Sequence, residues 1–536
     1  MVLLSHPALA AQRCAPAAGA RAAAVRVACS GQCRPPPAPR GRGGRGGRGR
    51  RAPEVNEQQV SWPAPVRPQP VVGVVGGGLA GLVCGQALAR RGVRCVVFDT
   101  GEHSAGGRLA TRAGASGSLR PEWLPDSLRG AGLAFDHGAQ FFTATDPRFQ
   151  KLVDRWLAAG AVREWAGPVG TLDAAAGRFE AAAGGAPRYV APGGMAALAQ
   201  HLAGPDGQAG PLFELRRPIW VSAMRAVEGK GWQLTGNNKS QGFFDAVVIA
   251  HNGKCANRLA APSGAPAVAR QLMRLKLNSI WALVAAFPEP LPVPGGFEGA
   301  FIKGSPVLSW AANNTAKLGL AHLGHEGLQC WTLFSTAAYG RANKVPQEAI
   351  PPETAERVKD EMLAALRAAL GPGAPALPEP VFHRCQLWGA ALPVNFPGVP
   401  CIFDPVARVG VAGDWLTAAG DAASMQAAAI SGLELAERLH RLVQLGARSA
   451  SDGDLGGDLA GLSMGLTEEF KLVANHDIGA FPGQQPEEAI AAVGAAPKAA
   501  GGGARPQRQG QGRGQGQGRG QGQQRPRERE EQAARV

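Results

Sequence analysis

The chain has 536 residues, a formal charge of +15 and nine cysteines, and is long enough for two or three domains. The charge sits at the ends: residues 1–68 carry eleven Arg against two Glu, residues 497–536 carry eight Arg and one Lys against three Glu, and the span between them is net neutral. This excludes a fold that is basic throughout and built to hold a polyanion, and the absence of any C-x-x-C pair or Cys/His cluster argues against a metal site. The first 53 residues contain no acid and are rich in Ala, Arg, Gly and Pro, the composition of an organelle transit peptide. A chloroplast destination is expected, with the mitochondrion as the alternative, since Ser is scarce. Arg40–Arg51 is an Arg-Gly run and Pro63–Pro70 is Pro-rich, so residues 1–68 are expected to be transit peptide and disordered linker. No run reaches the apolar length of a membrane span.

The next segment predicts a dinucleotide. Val71–Val75 is an apolar run suited to a buried parallel strand. Gly76, Gly78 and Gly81 follow as G-x-G-x-x-G, giving a tight turn, a close backbone approach to a pyrophosphate, and close packing of helix on strand. A helix through Leu82–Arg91 places its N-terminal amides at that pyrophosphate. Val93–Phe98 is a second strand, and Asp99 ends it, where a carboxylate accepts ribose hydroxyls. Asp99 alone does not choose between NAD and FAD.

Beyond it, Gly114–Gly132 reads as a loop with insertions, and Asp146-Pro147 starts a helix through Leu157. A helix over Ala196–Leu202 follows Pro192-Gly193-Gly194-Met195. Trp232–Thr235 and Phe244–Ala250 are strand-like. Residues 266–390 form a separate lobe with strands at Ile280–Phe287 and Trp331–Ser335, and an amphipathic helix from Pro352 to Leu370 stopped by Gly371. Arg408–Gly413 is a further short strand and Met425–Leu442 is helical. Gly501–Gln524 is a Gly-Gln-Arg tract that cannot bury a core.

Gly106-Gly107-Arg108 with Thr111 resembles the GGR-x-x-[ST] segment of the amine oxidase superfamily of flavoproteins, which points to FAD. With Phe135-Asp136-His137-Gly138-Ala139, Pro192–Met195, Leu308-Ser309-Trp310-Ala311, His383 with Trp388-Gly389-Ala390, Gly413-Asp414-Trp415 and Ser431-Gly432-Leu433, residues 70–440 resemble the renalase-like branch of that superfamily, in particular its plastid-type plant and algal members. The fold implied is α/β (α+β overall). A Rossmann-like FAD-binding domain (69–150 with 187–265 and 391–445) is joined to an amine-oxidase-type substrate domain (151–186 with 266–390). A disordered tail occupies 446–536.

The resemblance assigns FAD contacts to Gly76, Gly78, Gly81, Asp99, Gly106, Gly107, Arg108, Gly413 and Asp414. It also places the start of the helix near Ala427 at the flavin ring. There the chain departs from the family, with Gln426-Ala427-Ala428 in place of Glu-Gly-Ala and about four extra residues near Ala418–Asp421. No Cys lies where monoamine oxidases attach flavin, so non-covalent FAD is expected. His137 is placed near the flavin, either orienting flavin or substrate or acting as a structural hydrogen-bonder. Trp310 and Trp388 are placed on the substrate side, with ordinary core packing as the alternative. Lys303 or Lys276 is the candidate for a flavin-adjacent lysine, and His383 is expected at the lobe junction. The chain has only two Tyr, which counts against an aromatic cage for amines. The expected activity is hydride transfer from a small reduced donor, such as a dihydronicotinamide isomer, onto flavin and then to oxygen or another acceptor. Amine, porphyrinogen or carotenoid oxidation is the alternative. An RNA-associated role through the Arg-Gly ends is the alternative of a different class.

Overall fold

The computed structural model describes residues 54–473 except 63–65, 115, 205–209, 252, 323 and 453–458, with side chains also left aside at 254 and 447–452. The expected transit peptide, the Arg-Gly run and the Gly-Gln-Arg tract lie outside the described residues.

Val71–Val75 is the centre of a six-stranded sheet. Its order is Ile402–Asp404, Val409–Val411, Ala246–Ile249, Val71–Val75, Arg94–Phe98 and Phe213–Arg216. All neighbours are parallel except the first pair. The central strands are apolar because helices cover one face and a second core cluster the other. The Leu79–Arg90 helix is buried from Leu79 to Ala89, and its Leu82, Cys84 and Leu88 share a core cluster with Leu435 and Leu439 of the Met425–Asp452 helix. Those two helices cross so closely that a Cβ at Gly432 would lie 2.4 Å from Ala80 O, which accounts for the Ser431-Gly432 pair. On the other face Trp232, Leu259 and Val268 join Phe98 and Ile249.

The second sheet has seven strands: Phe382–Pro393, Leu277–Phe287, Gln329–Ser335, Leu308–Asn313, Gly299–Lys303, Val169–Asp173 and Arg178–Ala181. It thus joins segments about a hundred residues apart. The helix at Pro352–Ala369 covers one face, with Val358, Met362 and Leu366 packed among Trp281, Leu283 and Leu387. The chain from Ala134 to Asp136, which pairs with Thr111–Ala113, lies toward the other face, where Phe135 meets Phe382.

Two expected boundaries move. Residues 54–62 were expected in the disordered linker, yet the Asn56 and Val60 amides donate to Ala261 O and Gly264 O, and the Trp62 ring packs edge-on to Trp232. At the other end, residues 459–473 were expected in the tail. Leu462 is buried, Met464 pairs with Phe403, and Lys471–Leu472 pairs with Asn395–Phe396. Both segments cover apolar surface that the sheet would otherwise expose. No helix among the described residues is long and apolar enough to cross a membrane.

Candidate active site

The glycine turn closes the end of the Val71–Val75 strand. Gly76 takes φ +119° and its amide donates to Phe98 O at 2.9 Å. A Cβ at Gly81 would stand 2.0 Å from Gly76 O, so only glycine lets the helix start this near the strand. Asp99 accepts from the Gly77 amide at 2.9 Å and the Gly101 amide at 2.7 Å. Burial raises its affinity for a proton, and those two amides oppose the rise. Gly78 pairs alongside Gly106. Here the glycine space is open: a Cβ at Gly78 would meet only Gly106 O at 3.9 Å, and one at Gly107 only Gly78 Cα at 3.7 Å. The helix behind Gly78 has no side-chain cap and no acid in its first turn, leaving its first amides without an internal partner.

Arg108 and Asp414, far apart in sequence, meet as a bidentate pair at 2.6 and 2.7 Å, and Arg108 also donates to Ala391 O at 2.7 Å. The resemblance places this arginine at FAD phosphates; in the structure its guanidinium is turned to the Asp414 carboxylate. The Gly413 amide donates to Ser431 Oγ at 3.0 Å.

His137 and Trp388 are also brought together. Their rings are 5.4 Å apart, and Trp388 Nε1 donates to His137 O at 2.6 Å. His137 Nδ1 bonds Ala110 O at 2.9 Å. The ring is 5% exposed, and burial, reinforced by the Arg112 charge, holds its pKa down to about 3. His137 is therefore neutral at physiological pH and carries no proton to donate as imidazolium. The unfolded chain binds a proton there below about pH 6.5 and the folded chain does not, so stability is lost as pH falls through that value. Between pH 7 and 5 this one group costs about 2 kcal/mol. Denaturant titrations at both pH values should show a smaller loss for His137→Gln than for the wild type; equal losses would exclude a buried neutral imidazole.

Trp310 stands apart from that pair. It is fully buried, 4.6 Å from Phe301 and 5.7 Å from Phe141, and its Nε1 has no hydrogen-bond partner among the described residues. It belongs to the apolar cluster against which Trp388 packs, so its surroundings are those of a core tryptophan. His383 pairs with Glu356 at 3.1 Å, a partly exposed contact with the covering helix.

The departure at Gln426–Ala428 has a structural use. Gln426 Oε1 accepts from the Thr145 and Asp146 amides at 2.7 and 2.8 Å, and its Nε2 donates to Asp421 Oδ2 at 3.0 Å. Ser424 Oγ accepts from the Ala427 amide at 2.9 Å and donates to Asp421 at 3.2 Å. The extra residues thus supply a carboxylate at the start of the Met425–Asp452 helix, and Ala427 is 3% exposed.

One charged residue escaped the sequence reading. Lys317 Nζ lies 2.9 Å from Asp136 Oδ2, both side chains fully buried. Asp136 Oδ1 accepts from Thr111 Oγ1 at 2.6 Å and from the Met195 amide at 2.8 Å, capping the Met195–Ala203 helix. Asp136 O accepts from Thr332 Oγ1 at 2.9 Å, and Lys317 Nζ also reaches Gln140 O at 3.3 Å. The Phe-Asp-His-Gly-Ala and Pro-Gly-Gly-Met segments therefore touch, and the short helix that follows the Leu308–Asn313 strand supplies the counter-charge. Lys303, by contrast, is exposed at a strand end, and Lys276 is exposed with its backbone amide donating to Asn395 Oδ1. Lys317 sits in a short polar helix, Asn314–Leu318, and nothing in that local pattern signals burial.

Residues 74–156 match an NAD(P)-binding Rossmann-like domain, and residues 158–440 match the family described as flavin containing amine oxidoreductase. Among solved structures, the chain is similar to cyclohexylamine oxidase from Brevibacterium oxydans IH-35A at 15% identity, covering 70% of this chain and 100% of that one, with a TM-score of 0.48. It is similar to wild-type putrescine oxidase bound to putrescine at 14% identity, covering 69% and 98%, with a TM-score of 0.46. A fatty acid isomerase from P. acnes stands at 10% identity, covering 70% and 99%, with a TM-score of 0.46.

Proposed function

This chain belongs to the flavin containing amine oxidoreductase family, and from that membership we propose that it is an enzyme holding FAD non-covalently and oxidising a small reduced donor of the dihydronicotinamide type, with oxygen or another small molecule as acceptor. The observation that carries the cofactor reading is the open groove at Gly78 and Gly107, beside an uncapped helix N-terminus. Backbone amides and a positive dipole end suit a pyrophosphate, and Asp99 at the end of the next strand suits a ribose. Bound flavin would supply the hydride acceptor.

The chain's own residues do the rest. Trp388 and His137 form a wall beside the Gly138–Ala139 backbone, which runs against Arg108 and is fixed there by the Ala139 amide bond to Arg108 O at 2.7 Å. His137, neutral, donates from Nδ1 to Ala110 O, so its Nε2 is the acceptor nitrogen of the ring. The Lys317–Asp136 pair anchors this segment from behind. A dihydronicotinamide is favoured over an amine because the two tyrosines are separated by the fold. Tyr189 is buried beside Phe142, whereas Tyr339 donates to Glu361, so they frame no common cage. The plastid assignment is proposed from the acid-free leader alone.

Two measurements test this reading. Anaerobic mixing of flavin-loaded enzyme with reduced nicotinamide isomers should bleach the oxidised flavin band, while simple amines should leave it. Bleaching by amines and by no nicotinamide would replace this donor with the amine alternative. For the groove, Gly78→Val should leave the unfolding free energy of the flavin-free protein within about 1 kcal/mol of the flavin-free wild type yet release flavin on gel filtration. Retained flavin would remove the groove from the cofactor site.

A further inference from the structure

Three guanidinium groups converge on one indole beyond the His137–Trp388 wall. Arg384 lies 3.6 Å from the Trp123 ring centroid, and Arg120 and Arg112 lie 5.3 and 5.6 Å from it. Arg112 donates to two uncharged oxygens, Gln386 Oε1 at 2.5 Å and Ser118 O at 3.4 Å. Arg120 comes no nearer than 3.9 Å to the well-exposed Glu102 and Glu122. Arg384 has neither a hydrogen-bond acceptor nor a carboxylate partner among the described residues. Burial, followed by repulsion from Arg384 and Arg120, holds the Arg112 pKa down to about 10. Arg112 and Arg384 are half removed from water with no carboxylate partner among the described residues, and Arg120 beside them is met only by two exposed glutamates at 3.9 Å; such an arrangement is costly, and an anion placed among the three relieves that cost.

The fold builds this cluster deliberately from distant segments. The segment 116–132, within the stretch expected as a loop with insertions, buries Leu119, Leu124 and Leu128 against Phe135, Val284 and Phe382, with Trp123 packed beside them. That packing fixes Arg120 and Trp123. Arg384 comes from the edge strand Phe382–Pro393, whose regular antiparallel register pairs Arg384 with Val284, Gln386 with Ala282 and Trp388 with Ile280. Alternate residues share a face, so Arg384, Gln386 and Trp388 form one row. Cys385 faces the other way, toward Ala355 of the covering helix. Arg384 is about 13 Å from Trp388 along the strand, and Arg112 with His137 lies beside the row between them.

We propose that Arg112, Arg120 and Arg384 form a phosphate-binding subsite that holds the phosphate end of the reduced donor while its ring lies at Trp388 and His137. The planar forks of several arginines match phosphate oxygens in pairs, and a row of this length spans a nucleotide-sized molecule. The assignment to the donor rests on the dihydronicotinamide reading above; the anion site itself does not.

The test uses the full-length, flavin-loaded protein. Calorimetric titration with inorganic phosphate at low salt compares wild type, Arg384→Gln and Arg384→Lys, so that binding by the basic ends is common to all three. Arg384→Gln should weaken phosphate binding about tenfold, with Arg384→Lys recovering part of it. The same variants are then assayed with reduced nicotinamide mononucleotide and reduced nicotinamide riboside, and the preference in kcat/KM for the phosphorylated donor should fall about tenfold in Arg384→Gln. Equal phosphate binding by wild type and Arg384→Gln overturns the subsite. Weakened phosphate binding with an unchanged donor preference overturns its assignment to the donor. If neither nicotinamide reduces the flavin, the donor reading itself has failed, and the phosphate titration still decides the subsite.

Discussion

Replacing Lys317 with Met should lower the stability of the protein by about 3–5 kcal/mol, the cost of leaving a buried charge without its partner. Both groups of the Lys317–Asp136 pair are fully buried at 2.9 Å. Burial lowers the proton affinity of Lys317, and the Asp136 charge only partly opposes this. The pair thus survives by geometry: Asp136 is further held by Thr111 and the Met195 amide, Lys317 by Gln140. Removing the ammonium leaves a carboxylate with two donors and no counter-charge. Asp136→Asn in the Lys317→Met background should recover about half of the loss, because an amide oxygen still accepts from Thr111 and Met195 without needing a cation. Chemical denaturation of the four members of this cycle measures it. A loss under about 1 kcal/mol for Lys317→Met would mean that the pair carries no buried charge. Because Asp136 precedes His137, the same variants should shift flavin reduction as well as stability.

Gly81→Ala should be the most damaging single methyl group in the nucleotide-binding turn. The added Cβ would stand 2.0 Å from Gly76 O and 3.0 Å from Ala250 Cβ. The nearer obstacle is backbone at the end of a central strand, so it cannot rotate away. Relief needs the Leu79–Arg90 helix to shift by about 1 Å, and it is already held in a tight crossing where a Cβ at Gly432 would lie 2.4 Å from Ala80 O. Overpacking of this kind costs about 1–3 kcal/mol and displaces the amides at the helix start. The variant should unfold at lower denaturant and lose bound flavin, whereas Gly78→Val should lose flavin alone. Wild-type stability and flavin content in Gly81→Ala would show that the helix start is softer than its packing implies.

The order of elements was readable because each carries its signal locally. Val71–Val75 and Phe244–Ala250 are apolar runs flanked by turns, and the helix from Pro352 shows its face by spacing and ends near Gly371. The tighter misses are informative. The strand Phe382–Pro393 mixes His, Arg, Gln and Trp and does not read as a strand, because one face packs on a helix while the other meets polar groups of a distant segment. The insertion at 114–132 reads as a loop and is one, with two short 3-10 turns, but the burial of its leucines is not visible in their irregular spacing. Among site residues, Arg108 and Asp414 were each named, but their meeting as a pair was not, and Lys317 was passed over for Lys303 and Lys276.

What the sequence determined by itself is local and covalent in origin: which residues turn, which strands are buried, where glycine is required, and that a dinucleotide fingerprint opens a flavoprotein-like chain with its basic charge at the ends. Only the tertiary structure decided which charges neutralise one another. Burial of Lys317 beside Asp136, of His137 as a neutral ring, and of Arg112 and Arg384 around Trp123 without a carboxylate all depend on dielectric surroundings supplied by segments a hundred or more residues away. A side chain's ionisation and partner follow from that surrounding medium, and the order of neighbours along the chain does not contain it.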